Sequence, residues 1–350
     1  MKKYINHLVS ISLVAFFLIN HAFAGNKQRI GQAGASQLLI NPWAQSSGLG
    51  EANVANITGF EGIFGNIAGT ARINRTELVF SNTNWLKGTD INLNAFGLSQ
   101  KVGDVGVLSL SVMTMTWGEI VKTTVSLPDG DGSTFSPNLT NIGVSYAKEF
   151  SNSIYGGITM RVVSEQLSNL GAIGVAFDAG IQYITGSREQ IKFGVTMKNV
   201  GPTMKVTGDG MAVRGTAYAD GPIETIEMRS AEYELPSLIK LGASYDFDLG
   251  ENNQLTLMGA FTENSFSKNQ YHGGMEYSFR QILKIRGGYI YEEGITSDTD
   301  RSTVFTGMSA GISLQIPLKK GSDTKFGIDY SYRDTDPFNG VHSIGLRISL

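Results

Sequence analysis

The 350-residue sequence contains no cysteine. Disulfides, thiolate metal sites and thiol catalysis are therefore excluded. The sequence also has no excess of basic residues, with 28 Lys and Arg against 31 Asp and Glu. A net charge of −3 without a basic cluster gives no electrostatic basis for binding nucleic acid, so we expect no nucleic-acid partner.

Long apolar runs are missing after the N-terminus. Residues 1–24 carry two lysines directly after Met1, continue with an apolar run from Leu8 to Ile19 and end in a small-residue site at Ala24. This pattern predicts a signal peptide cleaved after Ala24, and the shortness of the run disfavours the alternative of an uncleaved anchor. No later stretch offers about 18 consecutive apolar residues, so no transmembrane helix is expected.

Glycine and aromatic residues are abundant, with 43 Gly, 18 Phe and 13 Tyr. From Leu78 onward, apolar and polar residues alternate with period two, as in the segment 325–333, which predicts strands. About fourteen strands are predicted, at residues 77–85, 91–101, 105–117, 138–149, 154–167, 172–186, 190–199, 236–247, 253–264, 270–280, 282–292, 303–316, 324–333 and 341–350.

The connections between these strands alternate between tight turns and longer loops. A soluble β-sandwich has no reason to sort its loops in this way, whereas outer-membrane barrels have short periplasmic turns and long outer loops. The runs are also long enough for tilted membrane strands. We therefore predict an all-β fold, a transmembrane antiparallel β-barrel of about 14 strands in the bacterial outer membrane.

Residues 25–76 precede the first strand and carry large apolar side chains, including Leu38, Trp43 and Phe60. These side chains must be buried, and a barrel of fourteen strands is too wide to fill its lumen with its own side chains. We predict that residues 25–76 form an N-terminal hatch inside a barrel of residues 77–350.

The segment 33–71 resembles the N-terminal signature of the PorV/PorQ family, a branch of the FadL-like barrels. It has the Ala-Gly-Ala opening at 33–35, a small-residue stretch and a motif similar to the family's "NPAGLA". Ile67 stands where the family has Pro, and Gln45 where a basic residue is common. The positions assigned to the hatch motif are Gly48, Gly50, Glu51, Ala52, Asn66, Ala68, Gly69 and Ala71.

This resemblance implies a barrel of the type IX protein secretion system. Its partners would be the translocon, the sortase or attachment complex and the C-terminal signal domains of secreted cargo, besides outer-membrane lipid. The alternative is a FadL-like transporter of hydrophobic small molecules. The mostly polar inward face of the strands favours the secretion role, while Phe305 and Ile290 on that face keep the transporter open. An ion-conducting porin is disfavoured because the hatch would block the lumen.

No enzyme, cofactor or metal site is expected. His272 and Glu276 share one strand face, which we interpret as a structural pair rather than as a catalytic one. The segment 128–133 is interpreted as a Gly-Asp turn rather than as a calcium loop. The charged or titratable residues assigned to the lumen, and expected to pair with one another, are Arg161, Asp178, Lys192, Lys240, His272, Glu276, Arg286 and Asp329.

Overall fold

The computed structural model describes residues 27–318 and 324–350. The predicted signal peptide, residues 1–24, lies outside the described residues. Within the described ranges, no helix is long and apolar enough to cross a membrane.

Fourteen antiparallel strands form one closed barrel. The barrel closes where the first strand pairs with the last, with Glu77 opposite Ser349. The fourteen-strand prediction is confirmed, and every strand end lies within two residues of its predicted position. The strands are β1 (Thr76–Trp85), β2 (Ile91–Val102), β3 (Gly106–Thr116), β4 (Asn138–Ser151), β5 (Ile154–Leu167), β6 (Leu170–Thr185), β7 (Ile191–Val200), β8 (Leu238–Asp248), β9 (Asn253–Asn264), β10 (Gln270–Phe279), β11 (Leu283–Glu292), β12 (Phe305–Pro317), β13 (Lys325–Thr335) and β14 (Val341–Ser349).

The two ends of the barrel differ in the length of their connections. One end, the short-turn side, has connections such as 152–153 and 280–282. The other, the long-loop side, carries residues 117–137 and 201–237, although β5 and β6 are joined there by only 168–169. The long loops contain three small hairpins, which pair Ile120–Val121 with Thr134–Phe135, Met204–Lys205 with Glu232–Tyr233, and Ala212–Gly215 with Glu224–Glu227.

Side chains alternate between the inside and the outside of the barrel. On β2, Phe96 is 46% exposed while its neighbour Ala95 is buried, and on β4 Val144 is 52% exposed beside the buried Ser145. An apolar outer surface of this kind is stable only against hydrocarbon, so it faces the bilayer.

The segment before β1 lies inside the barrel. Its α-helices are α1 (Ala44–Gly48) and α2 (Gly62–Gly65), and its 3₁₀ turns are Lys27–Arg29, Ser36–Leu39, Asn53–Ala55 and Ile67–Arg72. The largest apolar core forms between this hatch and the wall: Phe60 and Ile63 of the hatch pack with Leu93 and Met113 of the strands. The hatch thus supplies the side chains that the wide barrel needs to fill its centre.

Inward-facing glycines of the wall receive the hatch. A Cβ added to Gly97 would stand 1.8 Å from Cζ of Phe60, and one added to Gly288 would stand 2.2 Å from the carbonyl carbon of Leu49. Backbone and rings approach this closely only where the wall has no side chain. Part of the high glycine content therefore serves as a socket for the hatch.

The hatch begins on the long-loop side of the barrel. Arg29 forms an ion pair with Glu234 in the long 201–237 connection, and the amide of Gly31 donates to the carbonyl of Phe266 at 3.2 Å. From there the chain runs through the lumen to Thr76, where β1 starts on the short-turn side.

Candidate ligand cavity above the hatch

The hatch turn at Gly50 and Glu51 is held to the wall by two buried polar contacts. Glu51 forms an ion pair with Lys240 of β8. His272 of β10 contacts the carbonyl oxygen of Gly50 through Nδ1 at 2.7 Å, and its Nε2 lies 2.7 Å from the hydroxyl of Thr262. Burial alone would raise the pKa of Glu51, but the Lys240 ammonium outweighs it and lowers that pKa to about 2.

Asn66 joins the hatch to a neighbouring part of the wall. Its side-chain nitrogen donates to the carbonyl of Val54 at 3.1 Å and to that of Ile181 on β6 at 3.0 Å, while its oxygen accepts from the amide of Ala68 at 3.2 Å. Gly69 serves the hatch itself, because a Cβ there would stand 2.3 Å from the carbonyl oxygen of Ile57.

The remaining hatch-motif residues fill narrow spaces along the wall. Gly48 lies against the backbone of Gly311, since a Cβ on Gly48 would be 2.9 Å from the Cα of Gly311. Ala52, Ala68 and Ala71 are buried. The eight motif positions therefore form several separate contacts and do not converge on one binding site.

The lumen charges are distributed among several pairs. Arg161 donates through Nε to Asp178 at 2.8 Å, and Lys192 pairs with Asp246. His272 and Glu276 are not partners of each other, because His272 binds the hatch.

Glu276 instead forms ion pairs with Arg286 at 2.5 Å and with Lys284 at 3.2 Å. The hydroxyl of Ser313 accepts a hydrogen bond from Arg286 and donates one to Asp329, so it connects the two.

A second network closes the barrel seam and was not anticipated from the sequence. Arg347 of β14 pairs with Glu77 of β1 and, at 2.6 Å, with Glu61 of the hatch. Glu61 also accepts from the amide of Ser46 at 3.1 Å. The alternation on β14 places Arg347 on the inward face, but only the tertiary structure reveals its partners.

Above the floor formed by Glu51, a cavity of about 590 Å³ occupies the long-loop half of the lumen. Its polar members include Lys240, Glu292 and Arg333. Glu292 accepts from Gln270 at 3.0 Å and from Ser302 at 2.8 Å. Its apolar and aromatic lining consists of Leu39, Ile40, Trp85, Ile91, Met115, Trp117, Leu238, Ile290, Ile295, Phe305 and Met308.

Arg333 of β13 has an unusual environment in this cavity. It is 8% exposed, and its guanidinium carbon lies 5.1 Å from the ring centroid of Trp85 and 5.0 Å from that of Phe305. The Nε and Nη2 atoms are buried without a hydrogen-bond acceptor, and no carboxylate among the described residues forms an ion pair with Arg333. The sequence pattern places Arg333 on the inward face but does not distinguish it from the paired charges.

One part of the cavity wall is an irregularity in β12. Pairing with β13 is interrupted between Phe305 and Ser309, and Gly307 has a φ of +95°. Met308 both lines the cavity and is 63% exposed. This β-bulge is the point where cavity and bilayer share a residue.

The structure of the chain is similar to several solved structures. The chain resembles the Pseudomonas putida toluene transporter TodX with 11% identity and a TM-score of 0.54, covering 89% of this chain and 98% of that one. A TodX deltaS2S3 mutant, a monoaromatic hydrocarbon channel, gives 11% identity and 0.54, with 87% and 97% covered. A Pseudomonas aeruginosa FadL homologue gives 12% identity and 0.44, with 87% and 96% covered.

The fold is shared with the toluene transporter TodX. At 11% identity the likeness establishes the fold alone. No protein-family profile and no curated protein matches the sequence. The hatch inside the barrel agrees with that fold, whereas the finer assignment to the PorV/PorQ branch has no support from these comparisons.

Among the described residues, no group of three or more His, Asp or Glu side chains lies close enough together to hold a metal ion. In the loop segment 128–133, Asp131 accepts from the amide of Ser133 at 2.8 Å, which is a local turn contact.

Proposed function

We propose that the protein takes up hydrophobic small molecules across the outer membrane. The observation that carries the proposal is the cavity of about 590 Å³ lined by Trp85, Trp117 and Phe305, which lies directly above the packed hatch. Its volume is typical of small-molecule sites, and eleven of its 24 lining residues are apolar or aromatic. The solved structures with the same fold include a toluene transporter.

The polar inward face of the strands, which favoured the secretion role from the sequence, has another explanation. Lys240, His272 and Arg347 bind the hatch, and Lys240 also lines the cavity. Eleven apolar or aromatic side chains are collected in the cavity at the long-loop end. Polar residues that hold the hatch therefore do not exclude a hydrophobic ligand in the cavity.

The bulge in β12 is the proposed route from the cavity to the bilayer. The packed hatch occupies the lumen below, and Met308 belongs to both the cavity lining and the lipid-facing surface. We propose that a hydrophobic ligand leaves sideways here. A photoreactive analogue of toluene should label residues 306–308, and labelling confined to hatch residues below Glu51 would contradict this route.

The uptake proposal is tested by placing a charge in the cavity. Leu39 and Ile30 both lie in the N-terminal segment and are 37% and 45% exposed, but only Leu39 lines the cavity. Leu39→Asp should reduce toluene uptake by cells producing the barrel about tenfold, because an apolar ligand cannot solvate a carboxylate. Ile30→Asp is the matched control. Equal uptake by both variants and the wild type would refute the proposal.

A role in type IX secretion is a second proposal. Apolar side chains stand exposed at the tips of the long loops, with Val125 fully exposed and Ile223 68% exposed. Such surfaces suit docking of a protein partner. Co-purification of translocon, sortase or cargo signal domains from outer membranes, lost in Val125→Asp and Ile223→Asp variants, would support it. Normal secretion in a deletion strain would contradict it.

A further inference from the structure

Arg333 places a charge inside the cavity, and no carboxylate among the described residues forms an ion pair with it. The neighbouring carboxylates are already engaged: Glu51 pairs with Lys240, and Glu292 accepts from Gln270 and Ser302. On the adjacent position of β13, Asp334 accepts from Thr306 and Tyr332. A buried guanidinium without an acceptor is costly, and such groups are rare unless a ligand or ion completes them.

The geometry of the free donors selects the shape of the missing acceptor. Nε and Nη2 form one edge of the guanidinium plane, and both are buried without an acceptor. A ligand oxygen reaches this edge once the Arg333 side chain rotates toward the cavity that it lines. Two parallel N–H groups on one edge match the two oxygens of a carboxylate. A neutral hydrocarbon would leave both donors unpaired.

The surroundings of Arg333 indicate which non-polar group the ligand carries beside its carboxylate. The rings of Trp85 and Phe305 are arranged edge to face, with centroids 5.7 Å apart, and both contact the guanidinium. Trp117 lines the same cavity. Aromatic side chains pair favourably with further rings in stacked or edge-to-face arrangements.

We propose that the cavity binds aromatic carboxylates, with the carboxylate on the Nε–Nη2 edge of Arg333 and the ring against Trp85, Trp117 or Phe305. This inference rests on the proposed uptake function and adds a substrate class to it. Ile91 and Met115 also line the cavity and offer apolar surface to further substituents of the ligand.

The test is a binding titration of the purified full-length barrel, followed by the fluorescence of the cavity tryptophans. The probes are phenylacetate, toluene and octanoate. Wild type should bind phenylacetate more tightly than either other probe. Arg333→Met removes both donors at similar volume and should weaken phenylacetate about 10- to 100-fold, while toluene binding changes little. Arg188→Met, at an exposed position on the short-turn side, is the control.

Folding of the variants is checked by heat-modifiable migration in SDS gels, and Arg333→Lys provides a second variant that keeps the charge but loses the two-donor edge. Unchanged phenylacetate binding in both variants would overturn the inference, as would tighter binding of octanoate than of phenylacetate. Toluene binding that is strong and independent of Arg333, without phenylacetate binding, would overturn the carboxylate assignment but leave hydrophobic uptake intact. Absence of binding for all three probes would count against both.

Discussion

Arg347, on the last strand, and Glu61, in the hatch, form a buried ion pair with a separation of 2.6 Å between Nη2 and Oε1. The same guanidinium also pairs with Glu77 on the first strand. A single side chain therefore joins the barrel seam to the hatch. Since the side chains of Arg347 and Glu61 are 7% and 3% exposed, neither charge has water as a substitute partner.

Replacing Arg347 with Met should destabilise the folded barrel strongly. Removing one member of a buried network leaves uncompensated carboxylates, which typically costs about 3–5 kcal/mol. The measurement is the temperature midpoint at which the folded band shifts in SDS gels. Arg188→Met breaks an ion pair with Asp248 that is about half exposed and should have little effect. Similar midpoints for the two variants would contradict the role assigned to Arg347.

A side chain at position 97 should displace the hatch. In Gly97→Val, the new Cβ would overlap the ring of Phe60, so the hatch must shift or the wall must deform, at a cost of about 1–3 kcal/mol or more. Gly273→Val is the matched control, because a Cβ at Gly273 meets no atom within 4 Å. Limited proteolysis should release hatch peptides faster from Gly97→Val only. Equal protection in the two variants would show that the contact with Phe60 is dispensable.

The contribution of Glu51 should depend on pH. Its pKa is lowered from 4.5 to about 2 in the folded protein, so its stabilising effect is complete above pH 4.5 and is lost as the pH falls toward 2. A shift of this size corresponds to about 3 kcal/mol at full ionisation. The melting midpoint of wild type should therefore fall between pH 4.5 and 2, and Glu51→Gln should show a smaller decrease over that interval. Parallel pH profiles would rule out this contribution.

The strands of the barrel can be predicted from the sequence because the alternation of polar and apolar residues is a property of each strand by itself. Alternation of side chains with period two is required of every strand with one face to lipid and one to the lumen, so the strand at 325–335 can be recognised without its neighbours. The hatch segment is also recognisable, because apolar residues such as Phe60 need burial.

The contacts of the site are not local. Arg333 and Asp329 are four residues apart on one inward face, yet Asp329 receives a hydrogen bond from Gln45 of the hatch at 2.9 Å, whereas Arg333 meets only aromatic rings. The difference arises from where the hatch packs against the wall. No pattern within β13 reveals those positions, so the cavity could not be separated from the hatch socket by sequence alone.

The N-terminal part of the hatch should be accessible from the cell exterior. Arg29 is bound to Glu234 in the longest connection, on the long-loop side of the barrel. Because the chain has no native cysteine, one introduced thiol can be labelled specifically. A membrane-impermeant maleimide added to intact cells should label Gln32→Cys, which is an exposed position. Ser187→Cys, exposed in a tight turn on the opposite side, should react only after the outer membrane is permeabilised. Labelling of position 187 but not of position 32 in intact cells would reverse the orientation of the barrel and place the aromatic cavity at its periplasmic end.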